Sequence, residues 1–347
     1  KGGFPQQALP EKQRFIEYYG LHSRFNGKGK GIDSIREEVK GDLKQYIDEL
    51  AKHYHHEGQV GQKALAKIKP KKGAKKLSKK QTKKYRKLDQ KMIAQFGKAA
   101  QFYQEYVETF PKDPMVADIT YLEAEAEYAA RLYDKAIINY EKVAYKLASS
   151  KKAKGKSKSK AGKKSHRKAD AGYAAILSYR SYVKALKEKL SDDHSSVKKV
   201  QQKAVESMLR FAKHFHQDKR STAVLTSAAE YLFGLDQYDK AIKVSVALMN
   251  SNKALDKTLR KTALGIVAHS YFKQEKYSDA EDHYKKQRLL VAPNGKEYRQ
   301  ITERLAAAIY KKTEIMIAGG QKLEAVEQLL SLKSIAPKSP TRVTAPN

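Results

Sequence analysis

Apolar residues return along this chain at three- and four-residue spacings, which is the period of a helix with one buried face. Over 33–58, Ile35, Val39, Leu43, Tyr46, Ile47 and Leu50 share such a face. Asp33 or Ser34 is placed to cap that helix, and Glu37 to support its first turn. A second helix is expected to resume near Ser78. Beyond it, a short helical phrase repeats: Leu132-Tyr133-Asp134-Lys135-Ala136 with Tyr140, Gln237-Tyr238-Asp239-Lys240-Ala241, and Lys276-Tyr277-Ser278-Asp279-Ala280 with Tyr284. Phe96-Gly97-Lys98-Ala99 with Tyr103 is an earlier copy, and Lys322-Leu323-Glu324-Ala325 with Leu329 a late one. The anchoring alanines fall at 99, 136, 241, 280 and 325, and a degenerate copy at Ala204 divides the longest interval. Spacing of this kind predicts stacked helix hairpins, each burying its apolar face on its neighbours. Strand signals are nearly absent, so the expected class is all-α.

A second small residue precedes the anchor by about twelve positions in three copies, at Ala124, Ala229 and Ala268. Large side chains at either place would force the two helices of a hairpin apart. Tyr133, Tyr238 and Tyr277 open the second helix, and Pro111 and Pro337 stop it twelve residues after the alanine. This alternation resembles the tetratricopeptide repeat over roughly residues 96–337, with Ala268, Tyr271, Tyr277, Ala280 and Tyr284 as the best match. The copies depart from it in running longer than about 34 residues, and Ser245 and Met208 replace the second aromatic. Ala148 stands where a closing proline belongs, and Pro293 comes one residue late. Longer copies with endings such as Phe110-Pro111 are similar to those of bacterial outer-membrane assembly lipoproteins and periplasmic scaffolds. The resemblance implies a right-handed solenoid of antiparallel hairpins that binds proteins without catalysis, in a periplasmic or outer-membrane-associated setting; the alternative is a cytoplasmic one.

The expected organisation is a basic N-terminal segment over 1–32 and N-terminal helices with a Lys-rich linker (67–87) over 33–95. Repeats follow over 96–148, a Lys-rich disordered loop over 149–168, further repeats over 169–337 and a tail over 338–347. A long helix is expected over 169–190, and Gly319-Gly320 reads as the turn of the last hairpin. The chain begins at Lys1 and ends without an evident polar capping helix, so it reads as a mature or truncated piece of a longer protein. A secretion signal or lipid anchor would then lie outside it.

Composition narrows the chemistry. The 347 residues contain no cysteine and no tryptophan, which excludes disulfides and thiolate metal sites. No apolar stretch approaches the ~20 residues that cross a bilayer. Net charge is +33, which favours a polyanion or an acidic partner. Much of it sits in two blocks, represented by Lys71, Lys72, Lys75 and Lys76 in the first and by Lys151, Lys152, Lys154, Lys156, Lys158, Lys160, Lys163 and Lys164 in the second. Both could bind phosphates of RNA or DNA, or an anionic surface, by counterion release. Lysine outnumbers arginine there and no aromatic is interleaved, so neither base reading nor base stacking is indicated. The plain alternative is a solvated loop.

His53, His56 and Glu57 share a helix face, and His214 and His216 lie close in sequence, yet neither group has the spacing of a metal site and a polar helix end suffices. No nucleophile–base pair and no phosphate loop are present, so no catalytic residue, metal or cofactor is expected. In the hairpin register, the concave surface would carry Tyr121, Glu125 and Tyr128, then Glu230 and Phe233, then His269, Phe272 and Lys273. The recurring aromatic (Tyr128, Phe233, Phe272) would anchor a peptide or partner helix, or else simply pack within the repeats.

Overall fold

The computed structural model describes residues 8–21, 30–68, 77–147, 159–251, 255–293 and 295–335. Among them there are thirteen α-helices and no strand. In order these are α1 (Ala8–Tyr19), α2 (Lys30–Ile68), α3 (Lys79–Thr109), α4 (Val116–Ala129), α5 (Tyr133–Glu141), α6 (Ser159–Lys187) and α7 (Ser195–His214). Then come α8 (Ser221–Gly234), α9 (Tyr238–Ser251), α10 (Lys257–Lys273), α11 (Tyr277–Arg288), α12 (Lys296–Ala318) and α13 (Lys322–Ile335). The chain divides into two compact units, Lys1–Glu188 and Lys189–Asn347. Neighbouring helices pack sequentially in each, giving an all-α array of repeated hairpins.

Small residues do the work expected of them. Ala99, Ala136, Ala204, Ala241, Ala280 and Ala325 are fully buried, and so are Ala124, Ala229 and Ala268 on the facing helices. Tyr133, Tyr238 and Tyr277 are the first residues of α5, α9 and α11.

The turns explain why the hairpins look alike. Arg131, Asp236 and Glu275 take left-handed backbone with φ of 64°, 58° and 61°, and Gly320 does the same at 84°. In each turn the next residue donates its backbone N–H to the carbonyl five residues back: Leu132 to Glu127, Gln237 to Leu232, Lys276 to Tyr271 and Gln321 to Met316. The left-handed residue itself donates to the carbonyl three back, at Tyr128, Phe233, Phe272 and Ile317. This pair of bonds satisfies the last carbonyls of the first helix and redirects the chain into the second.

Several boundaries differ from those read in the sequence. Helix α2 does not stop near Gly58 but continues to Ile68, and Asp33 and Ser34 lie within it rather than at its cap. Gly58 and Gly61 are contact positions, because a Cβ on Gly58 would meet the Phe96 ring at 2.8 Å and one on Gly61 would meet Met92 at 3.1 Å. Their lack of a side chain lets α2 and α3 lie close together. Helix α3 starts where expected, with Ser78 and Gln81 forming a reciprocal capping box. The second Lys-rich block is helical from Ser159 onward, so α6 begins ten residues earlier than Ala169 and ends at Lys187. After Glu141 the chain makes a π-helical turn over Lys142–Lys146, closed by Leu147 N–H bonding to the Lys142 carbonyl.

Candidate interaction faces and a buried carboxyl pair

In the first unit, Tyr121, Glu125 and Tyr128 lie on α4. The Tyr121 ring meets Tyr140 edge-on at 5.6 Å, and the Arg167 guanidinium of α6 lies 5.5 Å from its centre. Arg167 also pairs with Asp118, which holds it over the ring. Burial raises the Glu125 carboxyl above its ordinary range, against the attraction of Arg167. Tyr128 packs on Tyr133 at 5.6 Å and shares a hydrogen bond of 3.0 Å with the Ser181 hydroxyl.

In the second unit, Phe233 packs on Tyr238 at 5.5 Å and Phe272 on Tyr277 at 5.2 Å. The recurring aromatic thus has a local reason: it precedes the left-handed turn residue by three positions and covers the tyrosine that follows the turn. Phe233 and Phe272 nevertheless remain partly exposed. Helices α8 and α10 also lie side by side. Phe233 meets the His269 ring edge-on at 6.1 Å, and His269 in turn meets Tyr284 at 5.3 Å. His269 Nδ1 is 2.5 Å from the Gly265 carbonyl oxygen, and burial lowers its pKa. Glu230 and Lys273 are exposed on the same two helices. Of the sequence-predicted residues of this unit, the structure brings Phe233 and His269 into ring contact across α8 and α10, while the recorded ring contact of Phe272 is with Tyr277.

Of the cations singled out as polyanion ligands, Lys71, Lys72, Lys75, Lys76, Lys151, Lys152, Lys154, Lys156 and Lys158 lie outside the described residues. Lys160, Lys163 and Lys164 fall in α6. His53 and His56 are on α2, where His53 packs on Tyr54. The histidine that enters the core is their neighbour His55, edge-on to Phe96 and Tyr103, with its pKa lowered by burial. No group of three potential metal ligands occurs among the described residues. His214 closes α7, with Nδ1 near the Arg210 carbonyl, and His216 follows it.

One constellation escaped the sequence. Glu123 and Glu127, one turn apart on α4, are only 5% and 2% exposed. A single group joins them: Asn139 Nδ2 of α5 donates to Glu123 Oε1 and to Glu127 Oε2, each at 2.9 Å. They face a groove of about 230 Å³ that Gln104, Glu108, Lys135, Ile138 and Lys142 also line. Burial, then the neighbouring Glu127 charge, raises Glu123 to about 8 against the Asn139 bond and the more distant Lys142. Burial raises Glu127 to about 7. One amide cannot replace the hydration of two carboxylates, so at neutral pH the pair retains proton occupancy. Two glutamates beside a helix-anchoring Ala124 were the available signal; in the hairpin register they fall next to the buried seam.

No protein family and no curated protein matches the sequence. Among solved structures, the chain is similar to the C-terminal part of a TPR repeat-containing protein from Cytophaga hutchinsonii, at 16% identity and a TM-score of 0.30, covering 74% of this chain and 97% of that one. A second similar structure is the apo form of RapI, at 11% identity and TM-score 0.32 over 85% of this chain and 78% of that one. A third is a signal transduction ATPase with a tetratricopeptide repeat sensor from Pyrococcus horikoshii, at 14% identity and TM-score 0.32. The alignment covers 96% of this chain and 50% of that protein. No described helix is long and apolar enough to cross a membrane.

Proposed function

We propose that this chain is a noncatalytic protein-binding scaffold whose working surface in the second unit is the face shared by α8 and α10. The observation that carries this is the contact between the partly exposed rings of Phe233 and His269, with partly exposed Phe272 and exposed Glu230 and Lys273 on the same two helices. Two adjacent helices give such a face rigidity, so a peptide or partner helix would bind with little ordering cost on the scaffold side. The Lys-rich blocks would add attraction to an acidic partner or surface, falling with salt. The resemblance of the longer copies to envelope scaffolds supports a bacterial cell-envelope complex as the setting.

The test is affinity capture from the native source with the parent chain, a Glu230→Lys, Lys273→Glu double variant and a chain lacking 151–158. The charge swap leaves the aromatic packing intact, and the deletion spares α6 with its Arg167–Asp118 pair. A partner lost with the swap and kept with the deletion supports the scaffold reading. A partner kept by the swapped chain places binding elsewhere.

A further inference from the structure

We infer that the basic end of the α2–α3 hairpin is a binding surface for the phosphodiester backbone of a nucleic acid, read without base specificity. This rests on the reading of the Lys-rich blocks as polyanion-attracting, and locates that attraction on a helix face.

From Gly58 to Leu88 the chain carries thirteen lysines and arginines and no acidic residue. The structure brings two parts of that stretch together. Gly61 lies against Met92 and Gly58 against Phe96, so α2 and α3 run antiparallel in a fixed register. That register sets Lys67 of α2 level with Arg86 and Lys87 of α3, and Lys63 level with Gln90 and Lys91. Lys79, Lys83, Arg86 and Lys87 line one shallow groove of about 610 Å³ with Leu77, Thr82 and Gln90. All four cations are exposed, and none pairs with a carboxylate among the described residues. Asp89, the first acid after the stretch, is held by Arg131 at 2.7 Å and so does not neutralise the groove.

Helix α3 also has no acidic residue in its first turn, so its lysines sit at the positive end of the helix dipole uncompensated. An anion would relieve both repulsions. The cations form a row, since one turn of helix advances about 5.4 Å, and a row suits a linear polyanion better than the scattered carboxylates of a folded protein. Among the described residues that line the groove, Leu77 is the one apolar side chain. Insertion into a lipid surface would need an apolar face, and that of α3 is spent on Met92, Phe96 and Tyr103 in the core.

The experiment is fluorescence anisotropy of a labelled 20-base-pair mixed-sequence DNA duplex with the full chain, between 50 and 200 mM KCl. The chains compared are the parent, a variant combining Lys79→Gln, Lys83→Gln, Arg86→Gln and Lys87→Gln, and the chain lacking 151–158. Glutamine matches lysine in helix propensity, and circular dichroism checks that the helices remain. Neutralising four phosphate contacts should flatten the slope of log affinity against log salt by about 3.6, with at least a tenfold loss at the lowest salt. An unchanged slope in a folded four-residue variant overturns the inference. If that slope is unchanged while the 151–158 deletion abolishes binding, the inference fails but the polyanion reading of the blocks stands. A parent chain that binds phosphatidylserine vesicles and no duplex defeats the nucleic-acid assignment, and binding to neither defeats both readings.

Discussion

Buried acids in the two units meet opposite fates on the same kind of hairpin. On α4, the pair Glu123 and Glu127 shares one amide donor, with no cation within hydrogen-bond reach among the described residues. On α11, Glu281 is equally buried but receives Lys285 at 2.6 Å and Lys312 at 2.9 Å. Burial alone would raise Glu281; the two lysine hydrogen bonds outweigh it and hold the carboxyl below its ordinary range. The lesson is that the repeat dictates the backbone and the small residues at the helix crossings, while the polar groups beside the seam are free to diverge. One hairpin then prefers a protonated acid and the other an ionised one.

The shared frame gives the largest expected effect. Ala136→Leu and Ala268→Leu each insert a large side chain where the native residue is fully buried between helices. Each should cost about 3 kcal/mol, read as a drop in denaturation midpoint in both units alike. A tolerant response in one unit would show that its hairpin is not closely packed at the alanine.

The divergent groups come next. Stability held by Glu123 and Glu127 is present below the ordinary carboxylate range and lost as pH rises through their folded values near 8 and 7. A Glu123→Gln, Glu127→Gln double variant should therefore match the parent near pH 5 and exceed it by about 2 kcal/mol at pH 8.5, measured by chemical denaturation at the two pH values. Glu281 has the reverse sign, with stability present above the ordinary carboxylate range and lost as pH falls through its lowered value. Lys312→Met should cost about 1–2 kcal/mol at pH 7, and the difference from parent should vanish in acid. Buried His55 and half-buried His269 both have lowered values, so acid weakens both units through them, but these contributions cancel in each variant-minus-parent difference.

The smallest effect tests the turns. Glu275→Gly relieves left-handed backbone at a side-chain-bearing residue and should stabilise by about 0.5–1 kcal/mol, whereas Gly320→Ala should destabilise by a similar amount. Thermal midpoints of the two single variants check the signs.

Much of this frame was legible. The alanines, the tyrosines opening α5, α9 and α11, the helix resuming near Ser78 and the Gly319-Gly320 turn all follow from residue size and backbone preference. Three things were not. Gly58 looked like a stop because glycine is a poor helix former, but close approach of Phe96 overrode propensity. Arg131, Asp236 and Glu275 gave no turn signal, since the hydrogen bonds around them impose the left-handed conformation rather than the residue inviting it. Glu123 and Glu127 were not singled out, because what joins them is Asn139 arriving from another helix. The contacts of the candidate face were not legible: Phe233 and Phe272 pack at an angle against the tyrosines of their own turns, a pairing that only the turn geometry reveals.

The most direct test of the contrast between the two hairpins is amide hydrogen exchange of the intact chain at pH 5.5 and pH 8.5, expressed as protection factors for α4–α5 and for α11–α12. The account predicts that protection in α4–α5 falls toward pH 8.5, that the Glu123→Gln, Glu127→Gln variant abolishes this fall, and that α11–α12 shows no such fall, since its nearby His269 weakens it only toward acid. Protection in α4–α5 that holds or rises at pH 8.5 in the parent would contradict it.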